Sequence, residues 1–227
     1  MQNVRGEYFT LARDFRGLAA QFGLAVDAAL ERDLICLMAA FEAIDRHVDA
    51  RSDAAERARL EAQIVAAIER DDAALDGELR ARLGELRAIL PSGGARFVAA
   101  SLARFFVHSE ELRTTTDPAR YLRAVLDEAA RASEMTLLIT GKLADARFTR
   151  FFGVLSEVAN LVDKLHDVRG DRRRGEIAVA ADARLHARLA AAFAARAAQL
   201  LLLAPRPLKL VAWGARYLVP PAQGARA

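Results

Sequence analysis

Two aspartates four positions apart, Asp45 and Asp49, form the first candidate site in the sequence. In a helix their carboxylates lie one turn apart on the same face, with Glu42 beside them. Because like charges repel at this spacing, the group predicts a site that takes up a cation or faces a polar cavity. The neighbouring Arg46 and Arg51 leave a second interpretation open, in which these acids form an ordinary solvated helix face.

A second group of polar side chains recurs at helical spacing inside an apolar segment. Ser156, Asn160, Asp163 and Asp167 form one stripe, which Asp171 extends if the helix continues that far. Such a stripe is costly to bury unless it faces water or binds cations. Hard oxygen ligands suit Mg²⁺, which keeps several waters and takes one or two carboxylates together with phosphate oxygens.

The elements that must position both groups are helices. Strong helix formers dominate the chain, strand-like alternation is missing, and Gly and Pro stand where helices would begin or end, as in Pro91-Ser-Gly-Gly94 and Asp117-Pro118. We predict an all-α fold, one continuous antiparallel bundle spanning residues 1–227. The predicted helices cover residues 3–22, 25–52, 54–71, 73–90, 95–114, 118–140, 146–169, 180–203 and 206–218.

The composition of the chain excludes some classes of protein. The chain has 227 residues, of which 53% are hydrophobic and 28% charged, with a net charge of only +3. This is globular composition, and the even charge balance gives no indication of nucleic acid binding. No zinc spacing, Gly-rich phosphate loop or nucleophile elbow occurs.

The location of the protein is predicted from similar reasoning. The lone Cys36, the lack of a secretory signal and the short apolar runs favour a cytoplasmic protein. Residues 206–227 form an amphipathic segment with Trp213 and Tyr217, for which peripheral contact with the inner face of the membrane and packing onto the bundle are both open. The sequence also leaves the oligomeric state open, a homo-oligomer included.

The two acidic groups together resemble a known family. The segment from Asn160 to Glu176 is similar to the second aspartate-rich motif of class I isoprenoid synthases, the all-α group of prenyltransferases, terpene cyclases and squalene/phytoene synthases. Asp45-Arg-His-Val-Asp49 resembles the first motif, in the form closest to the squalene/phytoene synthase branch. The resemblance implies a helical bundle of the isoprenoid synthase type in which both motifs hold Mg²⁺ around a substrate diphosphate.

The resemblance also implies roles for individual residues. The implied metal ligands are Asp45, Asp49, Asn160, Asp163, Asp167 and Asp171. The implied diphosphate-binding residues are Lys164, Arg169, Arg172 and Arg173, although a solvated loop explains the Arg run equally well. The prenyl chain would lie along Leu34, Met38, Phe41 and Phe152, which are equally compatible with an ordinary core.

The expected function is that of a Mg²⁺-dependent enzyme that ionises a prenyl diphosphate for condensation or cyclisation. The alternative is a non-catalytic isoprenoid-binding protein or a partner subunit of an isoprenoid biosynthesis enzyme. A helical scaffold unrelated to isoprenoids is the third hypothesis, and wide separation of the two acidic stripes would favour it.

Overall fold

The computed structural model describes residues 6–70, 75, 77–140 and 145–218. All regular structure in these ranges is helical, which confirms the all-α prediction. The helices are α1 Gly6–Gln21, α2 Ala28–Asp49, α3 Ala54–Arg70, α4 Gly77–Ile89, α5 Gly94–Thr114, α6 Pro118–Ile139, α7 Ala146–Arg174, α8 Ala183–Leu203 and α9 Pro207–Leu218. Parts of the predicted segments 3–22, 54–71, 73–90 and 206–227 lie outside the described residues.

Aspartate caps fix where several helices begin. Asp27, Asp145 and Asp182 each accept a hydrogen bond from the backbone N–H three residues later, at 2.7–2.8 Å. Asp117 caps α6 just before Pro118, as the sequence predicts. Each cap satisfies a backbone donor that the first helical turn leaves without a partner.

The helices pack mainly with their neighbours in the chain. α5, α6, α7 and α8 pack consecutively side by side, α3 lies against α5, and α2 lies against α4 and α6. Buried residues along its length, among them Leu34, Ile44 and Val48, anchor α2 in the core. This anchoring fixes the direction in which α2 presents its acidic turn.

The apolar interior of the described chain falls into two clusters. The larger one contains buried residues of helices α1–α5, of the C-terminal part of α6 and the N-terminal part of α7, and Leu200 of α8 and Leu210 of α9. The smaller one joins Leu112 with the start of α6, the end of α7 and the start of α8, and its centre is Tyr121 and Leu161. Between the two clusters lies space lined by charged side chains.

Helix α7 is longer than the sequence predicts. It runs through Gly170 to Arg174 instead of ending at residue 169, and Gly175 then terminates it with φ of 76°. The N–H groups of Gly175 and Glu176 close the end by donating to the carbonyls of Arg172 and Asp171. The extra turn carries Asp171 and Arg174 to the space between the clusters.

Candidate functional site

A cavity of about 970 Å³ opens between the two apolar clusters. Its walls come from α2, α5, α6 and α7, with Arg57 of α3 and the segments that follow α2 and α7. It is the natural place for a ligand because it combines a concave shape with charged groups from several helices.

Both acidic groups found in the sequence reach this one cavity. Asp45 and Asp49 line it from α2, and Asn160, Asp163 and Asp171 line it from α7. The two stripes therefore lie close together, whereas wide separation would have favoured a scaffold unrelated to isoprenoids. Asp167 is exposed and does not line the cavity.

Most of the cavity carboxylates are paired with a cation. Arg113 Nη2 lies 2.8 Å from Asp49 Oδ1, and Arg174 Nη2 lies 2.5 Å from Asp171 Oδ1. Lys164 Nζ is 3.5 Å from Asp163 Oδ2. The cavity thus holds both signs of charge at close range, which suits a ligand that carries negative charge and brings its own cations.

Asp45 differs from these carboxylates. Burial, and then the nearby Asp49 and Glu128, raise the pKa of Asp45 to about 6, although Arg113 and Lys164 act in the opposite direction. The side chain is open to water in the cavity while protein surrounds it on the other sides, so solvent screens part of this effect. Asp45 is the carboxylate that gains most from a cation.

Lys164 is the central cation of the site. Burial alone would lower the pKa of its ammonium group, but Glu128, Asp163 and Asp171 outweigh burial and raise the pKa. Lys164 therefore stays charged at neutral pH, and its side chain is only 21% exposed. It is positioned to bind an anion inside the cavity.

Glu128 is a central residue that the sequence analysis missed. It accepts a hydrogen bond of 2.6 Å from Ser109 Oγ and one of 3.2 Å from Asn160 Nδ2, which also donates to the carbonyl of Val125. These bonds tie α5, α6 and α7 together at one level of the cavity. A signal was present, because Glu128 interrupts the otherwise apolar face of α6.

Arg57 and Arg113 also went unnoticed in the sequence, where they are two of many arginines on helix surfaces. Arg57 contacts Glu110 at 3.0 Å, and Arg113 lies between Glu110 and Asp49. Arg57 Nε and Arg113 Nη1 are buried without a hydrogen-bond partner. Other parts of both side chains line the cavity, so their positive charge lies close to any anionic ligand bound there.

The cavity changes from charged to apolar along the helix axes. One turn from the Ser109–Glu128–Asn160 level in one direction lie Arg113 and Lys164. One turn in the other direction the same three helices present Phe105, Ala132 and Ser156. Small and aromatic side chains therefore leave an apolar space next to the charged end.

The residues predicted to bind a prenyl chain lie in three different places. Leu34 is fully buried in the core. Phe152 packs against Phe15 and Phe148, with ring centroids 5.3 and 6.0 Å away. Met38 and Phe41 line a neighbouring groove of about 460 Å³, which shares Asp45 with the main cavity.

The predicted anion-binding residues are also divided. Lys164 lines the cavity, whereas Arg169, Arg172 and Arg173 surround a separate groove of about 450 Å³ beside Asp182. The three- and four-residue spacing of Arg169, Arg172 and Arg173 puts them on one face of α7, which is not the face that carries Lys164 and Asp171 into the cavity. Arg174 is the member of the Arg run that reaches the cavity.

The donor set fits Mg²⁺ in its usual protein mode. Within the described ranges, no three Asp, Glu, His or Cys side chains are gathered closely enough to hold a metal by themselves. Mg²⁺ does not require such a cage, since one or two carboxylates with water and substrate phosphate complete its coordination. Asp45 and Asp49 supply two carboxylates to the cavity, and Asp49 also pairs with Arg113.

Comparison of the chain with protein-family models, with curated proteins and with solved structures gives no match. The cavity and its residues are therefore the basis for assigning a function.

Proposed function

We propose that this protein is a Mg²⁺-dependent class I isoprenoid synthase-like enzyme that ionises a prenyl diphosphate for condensation or cyclisation. One observation carries the proposal: acidic residues of α2 and α7 line one cavity that is charged at one end and apolar at the other. A prenyl diphosphate has the same division between a polyanionic head and a hydrocarbon tail. The fold would then be a bundle of the isoprenoid synthase type.

The charged end supplies groups for the diphosphate head. Lys164, Arg113 and Arg174 would exchange part of their pairing with Asp163, Asp49 and Asp171 for phosphate oxygens. Mg²⁺ held by Asp45 and Asp49, with Asp163 or Asp171 on the other side, would act as a Lewis acid that neutralises charge on the leaving diphosphate.

The apolar end supplies a place for the hydrocarbon. Phe105 and Ala132 would lie along the chain and keep water from the reacting carbon. Phe105 also offers an aromatic face that stabilises a developing positive charge. The neighbouring groove with Met38 and Phe41 provides a second apolar surface next to Asp45.

The direct test is release of diphosphate from C10, C15 and C20 prenyl diphosphates, with and without Mg²⁺. We expect release that requires the metal and is lost in the Asp45→Asn/Asp163→Asn double variant. Asp33→Asn, which removes a carboxylate from α2 away from the cavity, is the matched control and should keep the activity. Release that survives the double variant would contradict the proposal.

The pairing of cavity carboxylates with protein cations favours a second candidate, a non-catalytic isoprenoid-binding protein or partner subunit. In that case the folded protein would bind a prenyl diphosphate without Mg²⁺ and release nothing. Isothermal titration with a non-hydrolysable prenyl diphosphate analogue separates the two candidates. Absence of both binding and release would rule out both.

A further inference from the structure

A group of large apolar side chains is exposed where α8 meets α9. Leu202 is 88% exposed and Leu208 is 85% exposed. Leu201, next to Leu202, and Val211, one helical turn after Leu208, are also exposed. We refer to these four residues as the α8–α9 patch. Single exposed leucines are common in proteins, but a concentrated patch of them indicates a surface that binds something.

Helix α9 exposes two of its described large apolar side chains, Leu208 and Val211, to solvent. Leu210 alone among its described large apolar side chains is buried in the core. Leu208 and Val211, three positions apart, share the outward face of the helix. An amphipathic helix that only packed onto the bundle would turn this face inward. The side chains of Trp213 and Tyr217 lie outside the part of the structure that is described.

The charge around the patch has one sign. Arg206 lies between the leucines of α8 and Leu208, Lys209 directly follows Leu208, and both cations are exposed. From residue 183 to residue 227 the sequence contains Arg184, Arg188, Arg196, Arg206, Lys209, Arg216 and Arg226 and no acidic residue. These seven positive charges exceed the net charge of +3 of the whole protein, so residues 1–182 carry a net negative charge. The positive charge is therefore concentrated in the segment that carries the patch.

We propose that the α8–α9 patch binds the surface of an anionic lipid bilayer. Exposed leucines beside Lys and Arg are the combination by which a helix lies in the membrane interface, with its apolar face in the lipid and its cations at anionic headgroups. Self-association through the patch is disfavoured, since a symmetric contact would bring Arg206 and Lys209 of both copies together. No helix in the described ranges is long and apolar enough to cross a membrane.

The patch lies away from the charged end of the cavity. Arg196 pairs with Glu157 at 2.8 Å, and Leu185 at the start of α8 packs in one cluster with Val168 near the end of α7. The two helices are therefore antiparallel, and the end of α8 lies near the start of α7. Asp171 and Arg174 stand at the other end of α7. Membrane binding therefore leaves the charged residues of the cavity in water, and it does not depend on the proposed enzymatic function.

The test is sedimentation of the full chain with vesicles. Vesicles of phosphatidylcholine with 30% phosphatidylglycerol (about 3:7 anionic to neutral) are compared with vesicles of phosphatidylcholine alone. We expect binding to the anionic vesicles that weakens with salt. Leu202→Glu/Leu208→Glu should reduce the affinity by more than about tenfold, and Arg206→Gln/Lys209→Gln by about tenfold.

A matched control distinguishes binding through the patch from non-specific adhesion of exposed apolar side chains to lipid. Phe97→Glu/Val107→Glu changes two exposed apolar residues of α5 in the same way and should keep the affinity, because neither residue belongs to the patch. The proposal is overturned if wild type fails to bind anionic vesicles, or if the α5 and patch variants bind equally. It is also overturned if sedimentation without lipid shows a dimer that Leu202→Glu/Leu208→Glu dissociates and vesicles do not bind.

Discussion

The carboxyl group of Asp45 has an ionisation that depends on the fold. Folding raises its pKa from an ordinary value of 3.8 to about 6, mainly through burial and then through Asp49 and Glu128. The folded chain therefore binds the proton more tightly than the unfolded chain between these two values. Stability falls as the pH rises through this window, and the full penalty is present above about pH 6.

Asp45→Asn removes this penalty without changing the size of the side chain. We expect the variant to have a free energy of unfolding higher than wild type by about 1 kcal/mol at pH 7.5, after allowance for solvent screening, and close to wild type at pH 4. Urea denaturation at the two pH values measures the difference. Asp33→Asn gives the background for removing a carboxylate from α2. A variant less stable than wild type at pH 7.5 would show that Asp45 has a stabilising partner.

Glu128 stabilises the cavity as a hydrogen-bond acceptor for Ser109 and Asn160. Glu128→Ala should lower the free energy of unfolding by about 1 kcal/mol, because the buried hydroxyl of Ser109 loses its partner. Glu128→Gln should lose less, since its amide oxygen still accepts the 2.6 Å bond from Ser109, although its NH2 group cannot accept the bond from Asn160. Thermal unfolding of the two variants checks this. Equal losses would show that the negative charge beside Lys164 is what matters.

At the scale of elements, the last turn of α7 decides which residues join the site. The sequence predicts an end at residue 169, because Gly170 is a poor helix former. The helix continues instead to Arg174, and its terminal turn is closed by Gly175 with φ of 76°. Gly170 thus lies inside α7, whereas Gly175, five positions later, ends the helix.

Alanine substitutions at these two glycines should have opposite effects. Gly175→Ala is expected to lower the free energy of unfolding by about 1 kcal/mol, because alanine is strained at positive φ. Gly170→Ala should raise it by about 0.5 kcal/mol, because only the flexible end of Arg174 lies near the new methyl group. Chemical denaturation of both variants measures the signs. Stabilisation by Gly175→Ala would mean that α7 does not end there.

At the scale of the whole molecule, the cavity prevents the interior from forming one continuous core. The helices of the larger cluster pack around α2, with Leu34 at its centre. The smaller cluster holds the end of α7 against α6 and α8. Charged side chains occupy the space between them, where apolar residues would have given more stability.

The packing predicts which of the apolar residues of α2 support the fold. Leu34→Ala should cost about 3 kcal/mol, since Leu34 is fully buried and the change leaves a cavity. Met38→Ala should cost less, about 1 kcal/mol, because Met38 is half-buried and borders an open groove. Equilibrium unfolding of the two variants provides the comparison. Similar losses would place Met38 in the core as well.

Much of the fold is determined by local sequence. Caps such as Asp117, breakers such as Pro91 and the spacing of apolar residues act within one or two turns, so helix type and most boundaries follow from them. The same local rule aligns Asp45 with Asp49 and Asn160 with Asp163. Asp167 and Arg172 show its limit, because the sequence does not reveal which side of a long helix faces a cavity.

Only the tertiary structure decided which side chains meet. Arg57, Arg113 and Glu128 come from three helices and reach the cavity through the packing of α3 on α5 and α5 on α6. Arg57 pairs with Glu110 and Arg113 with Asp49, both far away in the chain, so no local pattern marks these two arginines, and the polar break in α6 marks Glu128 without indicating its partners. Burial and charge pairing depend on such distant contacts, whereas helix formation depends on neighbours in sequence, and this difference separates what the sequence determined from what it left open.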